Sequence, residues 1–175
     1  PVVVIADVAA ERHQRAREGV GGQPLHGCQL DGPVRDFDQP DVSHRAIIDP
    51  LREVKPYLEK AIKNSARIKY VLETHFHADF VSGHLDLAKE TGATIVYGPT
   101  AKPSFQAHIA SDGEILSLGK ISLKVLHTPG HTMESCCYLL RDESGKEVAL
   151  FSGDTLFIGD VGRPDLAQKS DLTLD

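Results

Sequence analysis

Three times in this chain an apolar stretch of strand length runs out into a short loop that carries histidine or aspartate. Ile68 to Leu72 leads into Thr74-His75-Phe76-His77-Ala78-Asp79, the stretch ending at Leu126 into Thr128-Pro129-Gly130-His131, and the stretch ending at Phe151 into Ser152-Gly153-Asp154. Binding and catalytic groups collect on loops at strand ends along one edge of a sheet, so the pattern favours a fold that brings the three ends together. In extended backbone, residues two apart point the same way, and His75, His77 and Asp79 can then face one point. Gly130 and Gly153, lacking a Cβ, let the chain turn sharply and present the next side chain inward. A chance histidine pair in a polar loop is the plainer reading of the first segment alone; it accounts less well for all three.

The intervening elements set the fold class. Ala46-Ile47-Ile48 reads as a short strand ended by Asp49-Pro50, and Val54 to Ala66 as an amphipathic helix. Ile68 to Leu72 is a buried strand, and a helix from Gly83 to about Thr91 has Ser82 as its cap and Gly92 to close it. Ala93 to Tyr97 is a β-branched strand. Gly113 to Leu118 and Ile121 to Leu126 form a hairpin about Gly119-Lys120, and Cys136 to Leu140 with Val148 to Phe151 a second about Arg141 to Lys146. Strands alternating with helices and then a run of hairpins predict a layered α/β domain. With 175 residues, of which 41% are hydrophobic, one core is expected. It is placed in residues 45–175; residues 1–44, broken by Gly19, Gly21, Gly22, Pro24, Gly27, Gly32 and Pro33, are poorly legible and are read as the first strands of the same domain.

Composition removes several classes of function. The net charge of -6 comes without a basic stripe, so no nucleic-acid partner is expected. No apolar run approaches the roughly 18 residues of a membrane span, and the start lacks a secretion signal, so the protein is expected in the cytoplasm. The three cysteines, Cys28 and the adjacent Cys136 and Cys137, form neither a disulfide framework nor a paired Cys-x-x-Cys zinc site. A metal here has to rely on imidazole and carboxylate.

His75-x-His77-x-Asp79, Gly130-His131 and Gly153-Asp154 together resemble the metal-binding signature of the metallo-β-lactamase superfamily, over about Arg45 to Leu166. The longer strings THFHADFVSGH and SGDTLFIGDVGRPDL resemble the persulfide dioxygenase branch of that superfamily, a type often fused to rhodanese domains. The resemblance implies an αββα sandwich, here with its C-terminal part missing or shortened. It also implies one metal ion per chain held by His77, His131 and Asp154. Two histidines and one carboxylate form the facial triad of non-haem Fe(II) oxygenases, which leaves positions open for substrate and O2. Fe(II) is therefore the expected ion, with zinc as the alternative. The implied reaction oxidises a thiol persulfide resembling glutathione persulfide to sulfite and regenerates the thiol. His75 would be a fourth contact or an orienting neighbour, and Asp79 could accept a hydrogen bond from a ligand imidazole.

Many two-zinc relatives carry a histidine directly after that aspartate, where this chain has Phe80. A phenyl ring cannot coordinate a metal, so a paired-metal hydrolase of the glyoxalase II type becomes the rival reading, with a non-catalytic metal-binding module as a second. Arg163 could grip the carboxylate of a glutathione-like substrate through a bidentate fork, or form an ordinary surface ion pair. His84, at a helix start, reads as a capping or solvent-facing residue, and Cys136 and Cys137 as small buried hydrophobes. His13, His26, His44, His108 and His127 have no distinguishing spacing. A rhodanese domain or protein and a second copy of the chain remain open as partners.

Overall fold

The computed structural model describes residues 3–6, by their backbone alone, and residues 43–164. The rest of the 1–44 segment, with His13, His26 and Cys28, and the residues from Asp165 onward lie outside the described residues.

Strands β1 (Val3–Ala6), β2 (Ser43–Ile48), β3 (Ala66–Leu72), β4 (Thr94–Tyr97) and β5 (His108–Ile109) form one sheet in that order. Every pairing in it is parallel. Parallel neighbours need crossover connections. Two of these are helices, α1 (Lys55–Lys63) between β2 and β3 and α2 (His84–Thr91) between β3 and β4. The expected helix Val54–Ala66 is shorter at its C-terminal end because Ser65, at φ 47°, turns the chain and Ala66 already belongs to β3. Gly92 closes α2 in the left-handed conformation, as its position predicts. Ser82 caps α2 from one residue further out, its hydroxyl accepting from the His84 amide at 3.3 Å while Gly83 takes the cap position.

The second sheet is antiparallel and runs β6 (Ile115–Leu118), β7 (Ile121–His127), β8 (Cys136–Arg141), β9 (Glu147–Phe151). Both expected hairpins are present. The two sheets close face to face: Ala46, Ile48, Leu72 and Val96 of the first meet Leu116, Leu118, Leu123, Val125, Cys136 and Tyr138 of the second. On the other face of the first sheet, Ile47, Ile68 and Val71 pack against Tyr57 and Ala61 of α1 and Leu87 of α2. The described residues thus make three layers, helices, sheet and sheet. Strand β9 leaves Val148 and Leu150 exposed.

Alternation puts one set of side chains in each layer, so a single deletion in the inter-sheet layer is felt by both sheets. Leu123→Ala, at a fully buried position, is expected to cost about 2–5 kcal/mol, against under about 1 kcal/mol for Leu150→Ala on the exposed edge strand. Urea unfolding of the two variants, compared by midpoint at constant m-value, checks this.

Candidate metal centre

The antiparallel order places the end of β7, the start of β8 and the end of β9 on one edge of the second sheet. The C-terminal ends of β2 and β3 meet them there, through a hydrogen bond from the Cys136 amide to the Thr74 carbonyl at 2.9 Å. The three loops singled out by the sequence therefore do converge. Donor atoms of His75, His131 and Asp154 all lie within 4.8 Å of one another. His131 Nε2 is 3.4 Å and His75 Nε2 4.0 Å from Asp154 Oδ2.

The residue that the first loop brings to His131 and Asp154 is His75; His77, which the resemblance implies as a ligand, belongs to a second group of converging donors. Extended backbone would turn His75, His77 and Asp79 toward one point, but the chain bends at Thr74 and His75 just after β3, so alternate side chains do not share a direction. His75 turns toward His131 and Asp154. His77 turns the other way, its Nε2 lying 3.0 Å from Asp49 Oδ1 and 3.3 Å from Glu73 Oε2. Neither oxygen lies along the ring N–H direction, and Nε2 and Glu73 Oε2 are both buried without a hydrogen bond among the described residues. Asp79 is exposed and stands outside both groups of converging donors.

Hydrogen bonding settles the tautomer of His75. The Thr74 hydroxyl donates to Asp49 Oδ2 at 2.8 Å, so toward His75 Nδ1, 3.0 Å away, it can only accept. The proton therefore sits on Nδ1, and Nε2 presents its lone pair to the centre, the arrangement a ligating imidazole needs. Burial, reinforced by the charge of nearby His77, holds the His75 pKa below its ordinary value, which keeps the ring neutral. Asp49 reaches Thr74 from a left-handed conformation (φ 48°), one that aspartate tolerates better than most residues. Its Oδ1 also accepts from the Thr74 amide at 2.8 Å.

Asp154 is set by close backbone packing. Gly153 has φ 49°, and a Cβ there would come 2.3 Å from Thr74 Oγ1. Asp154 lies in a 3-10 turn (Gly153–Thr155) that leads into a hairpin of β10 (Leu156–Phe157) and β11 (Asp160–Val161). Gly162, directly after that hairpin, is so close that a Cβ would meet the Asp154 carbonyl oxygen at 1.7 Å. Two nitrogen donors and one carboxylate oxygen, with one imidazole fixed as the correct tautomer, fit a borderline divalent ion with open positions.

Beside the centre lies a buried acid that sequence reasoning missed. Glu73 is fully buried; burial favours its neutral form, but contacts with His77, His84 and the Ser82 hydroxyl outweigh that and hold its pKa below the ordinary value. His84 Nδ1 donates to Glu73 Oε1 at 3.0 Å and its ring stacks on Phe105, so it is a partner of this acid and not the solvent-facing cap expected. Burial lowers the affinity of His77 for a proton, yet the Asp49 and Glu73 carboxylates raise its pKa to about 9. Cys136 is buried and its thiol is pushed up to about 12, in keeping with a packed hydrophobe. Cys137 is buried likewise. Arg163 is exposed on the loop after β11.

His75→Ala is expected to abolish ion binding at this centre and Asp79→Asn to leave it intact. Thr74→Val, which removes the hydroxyl that fixes the tautomer, should weaken binding roughly 10–100-fold. Metal titration of the three variants, monitored by calorimetry, separates these outcomes.

Comparison with known proteins places this geometry. Residues 41–174 match the family profile of the metallo-beta-lactamase superfamily. A "probable hydroxyacylglutathione hydrolase" of Schizosaccharomyces pombe is 39% identical over 121 residues, which cover 67% of this chain and 46% of that protein. A hydroxyacylglutathione hydrolase of Francisella tularensis subsp. novicida is 37% identical over 123 residues, covering 70% and 47%. Among solved structures, a metallo-beta-lactamase from Staphylococcus aureus is similar at a TM-score of 0.62 and 42% identity, covering 71% of this chain and 40% of that one. ETHE1 from Myxococcus xanthus is similar at 0.61 and 31%, covering 70% and 52%. The chain spans about half the length of the curated relatives it matches. With layered sheets, a donor set at their shared edge and a profile match over most of its length, this chain belongs to the metallo-beta-lactamase superfamily.

Proposed function

We propose that the protein is a mononuclear non-haem iron dioxygenase that oxidises a thiol persulfide. The observation that carries this reading is the donor set itself: two imidazoles and one carboxylate converge, and Phe80 stands where a second site would want an imidazole, its ring 4.3 Å from that of His77. The strings that resemble the persulfide dioxygenase branch support it.

Bound iron supplies Lewis acidity and accessible one-electron steps with O2. The chain's own residues hold the geometry. Thr74 keeps the proton of His75 on Nδ1, and Gly153 and Gly162 hold Asp154 in register. Exposed apolar side chains stand next to the ligands in sequence, Phe76 beside His75, Met133 after His131, and Leu156 and Phe157 after Asp154. In the overall reaction the terminal sulfur gives four electrons to O2, and one water supplies the third oxygen of sulfite. The thiol leaves with its proton restored. Arg163 is the candidate to hold a carboxylate of the thiol carrier.

A metal-dependent thioester hydrolase is the second reading, favoured by the curated relatives, which carry the name hydroxyacylglutathione hydrolase. An anaerobic preparation loaded with Fe(II) should consume O2 and release sulfite when given glutathione persulfide, and Asp154→Asn should lose this activity by at least about 100-fold. Zinc-loaded protein that cleaves a hydroxyacylglutathione thioester, with no oxygen uptake from the iron form, would establish the hydrolase instead.

A further inference from the structure

The group formed by Asp49, Glu73 and His77 lies outside the donor set assigned above, and its chemistry is unusual for a protein interior. Two carboxylates and an imidazole bring one donor atom each within 4.8 Å of one another. Glu73 is fully buried and the His77 side chain is 8% exposed. A single proton on His77 Nε2 serves this group poorly. An N–H bond points along one direction, and here two oxygens at 3.0 and 3.3 Å both lie off it. Nε2 and Glu73 Oε2 are thus left facing each other, buried and without a hydrogen bond, an arrangement that ordinarily destabilises a fold.

Off-axis contacts at this spacing have a simple alternative cause. Ligands that sit side by side on one ion, each about 2.1 Å from it, are roughly 3.0–3.4 Å apart and point at the ion instead of at each other. A divalent ion would also balance two buried carboxylates against a neutral imidazole, leaving no net charge in the interior. The remaining oxygens are already used: Asp49 Oδ2 accepts from the Thr74 hydroxyl, and Glu73 Oε1 from Ser82 and His84. The atoms that face the common point lack a hydrogen-bond partner of good geometry or, for Asp49 Oδ1, retain spare lone-pair capacity beside the Thr74 amide.

We propose that Asp49, Glu73 and His77 form a second cation site, selective for a borderline divalent transition ion such as zinc. It would be structural. The ion ties the end of β2 to the loop that carries His75, and so braces the first centre from behind. The site is independent of which reaction the first centre performs.

The test uses the full chain, metal-free and then loaded with 113Cd2+, without substrate or oxygen. The expected spectrum has two cadmium resonances, one coupled to the ring protons of two histidines and one to those of a single histidine. The double variant His131→Ala/Asp154→Asn should keep only the second resonance and one bound equivalent. Glu73→Gln should lose that resonance and keep the first. A single cadmium resonance in the unaltered protein, or a second one coupled to no imidazole, overturns the proposal and leaves the group as an ion-pair network. Because that count is made on the unaltered protein, it stands even if a variant fails to fold. Neither result bears on oxygen uptake, so the second site and the persulfide reading fail separately.

Discussion

The architecture of the site turns on Thr74. Its amide and hydroxyl donate to the Asp49 carboxylate at the end of β2, its carbonyl accepts the Cys136 amide at the start of β8, and its side chain leaves room only for glycine at position 153. One residue thereby joins both sheets and the loop after β9. Each of these contacts uses a backbone group or a short side chain, which is why the edge is stiff: little rotamer freedom remains to be lost. A centre built on such an edge holds its ligands in place before any ion or substrate arrives, as metal sites with open positions require.

The charge distribution around that edge works against folding and in favour of binding. Burying Glu73 and most of Asp49 without compensation would be costly, and the structure offsets it with His77, His84, Ser82 and the Thr74 donors. The inter-sheet core beneath is ordinary by contrast. Leu118, Leu123, Val125 and Tyr138 are fully buried, and the Tyr138 hydroxyl donates to the Glu73 carbonyl at 2.9 Å. Stability comes from that apolar layer, while the polar residues at its rim give the site its shape.

Much of this was legible from residues alone, for reasons that can be named. Glycine marks turns by its conformational freedom, so Gly92 at φ 69° and Gly119 at φ 65° ended α2 and divided β6 from β7 where expected. Alternation marked β7, whose Leu123 and Val125 are buried on one face, and the polar turn Arg141 to Lys146 marked the second hairpin. Spacing alone could not separate His75 from His77, because the chain bends at Thr74 and His75 and sends the two rings into different groups. Glu73 and its pairing with His84 escaped notice because the two stand eleven residues apart across a helix start, and no local spacing marks the contact.

By itself the sequence determined the longer strands and both helices, that three strand ends carry imidazole and carboxylate, and which residue types stand at each loop. These follow from local periodicity and turn chemistry, which act over a few residues. Only the tertiary structure decided which of two neighbouring histidines joins His131 and Asp154, and that Asp49 and Glu73 lie beside the other. That choice depends on the direction of the chain through one bend and on hydrogen bonds from strands distant in sequence, and neither is written in the spacing of the residues that make the site.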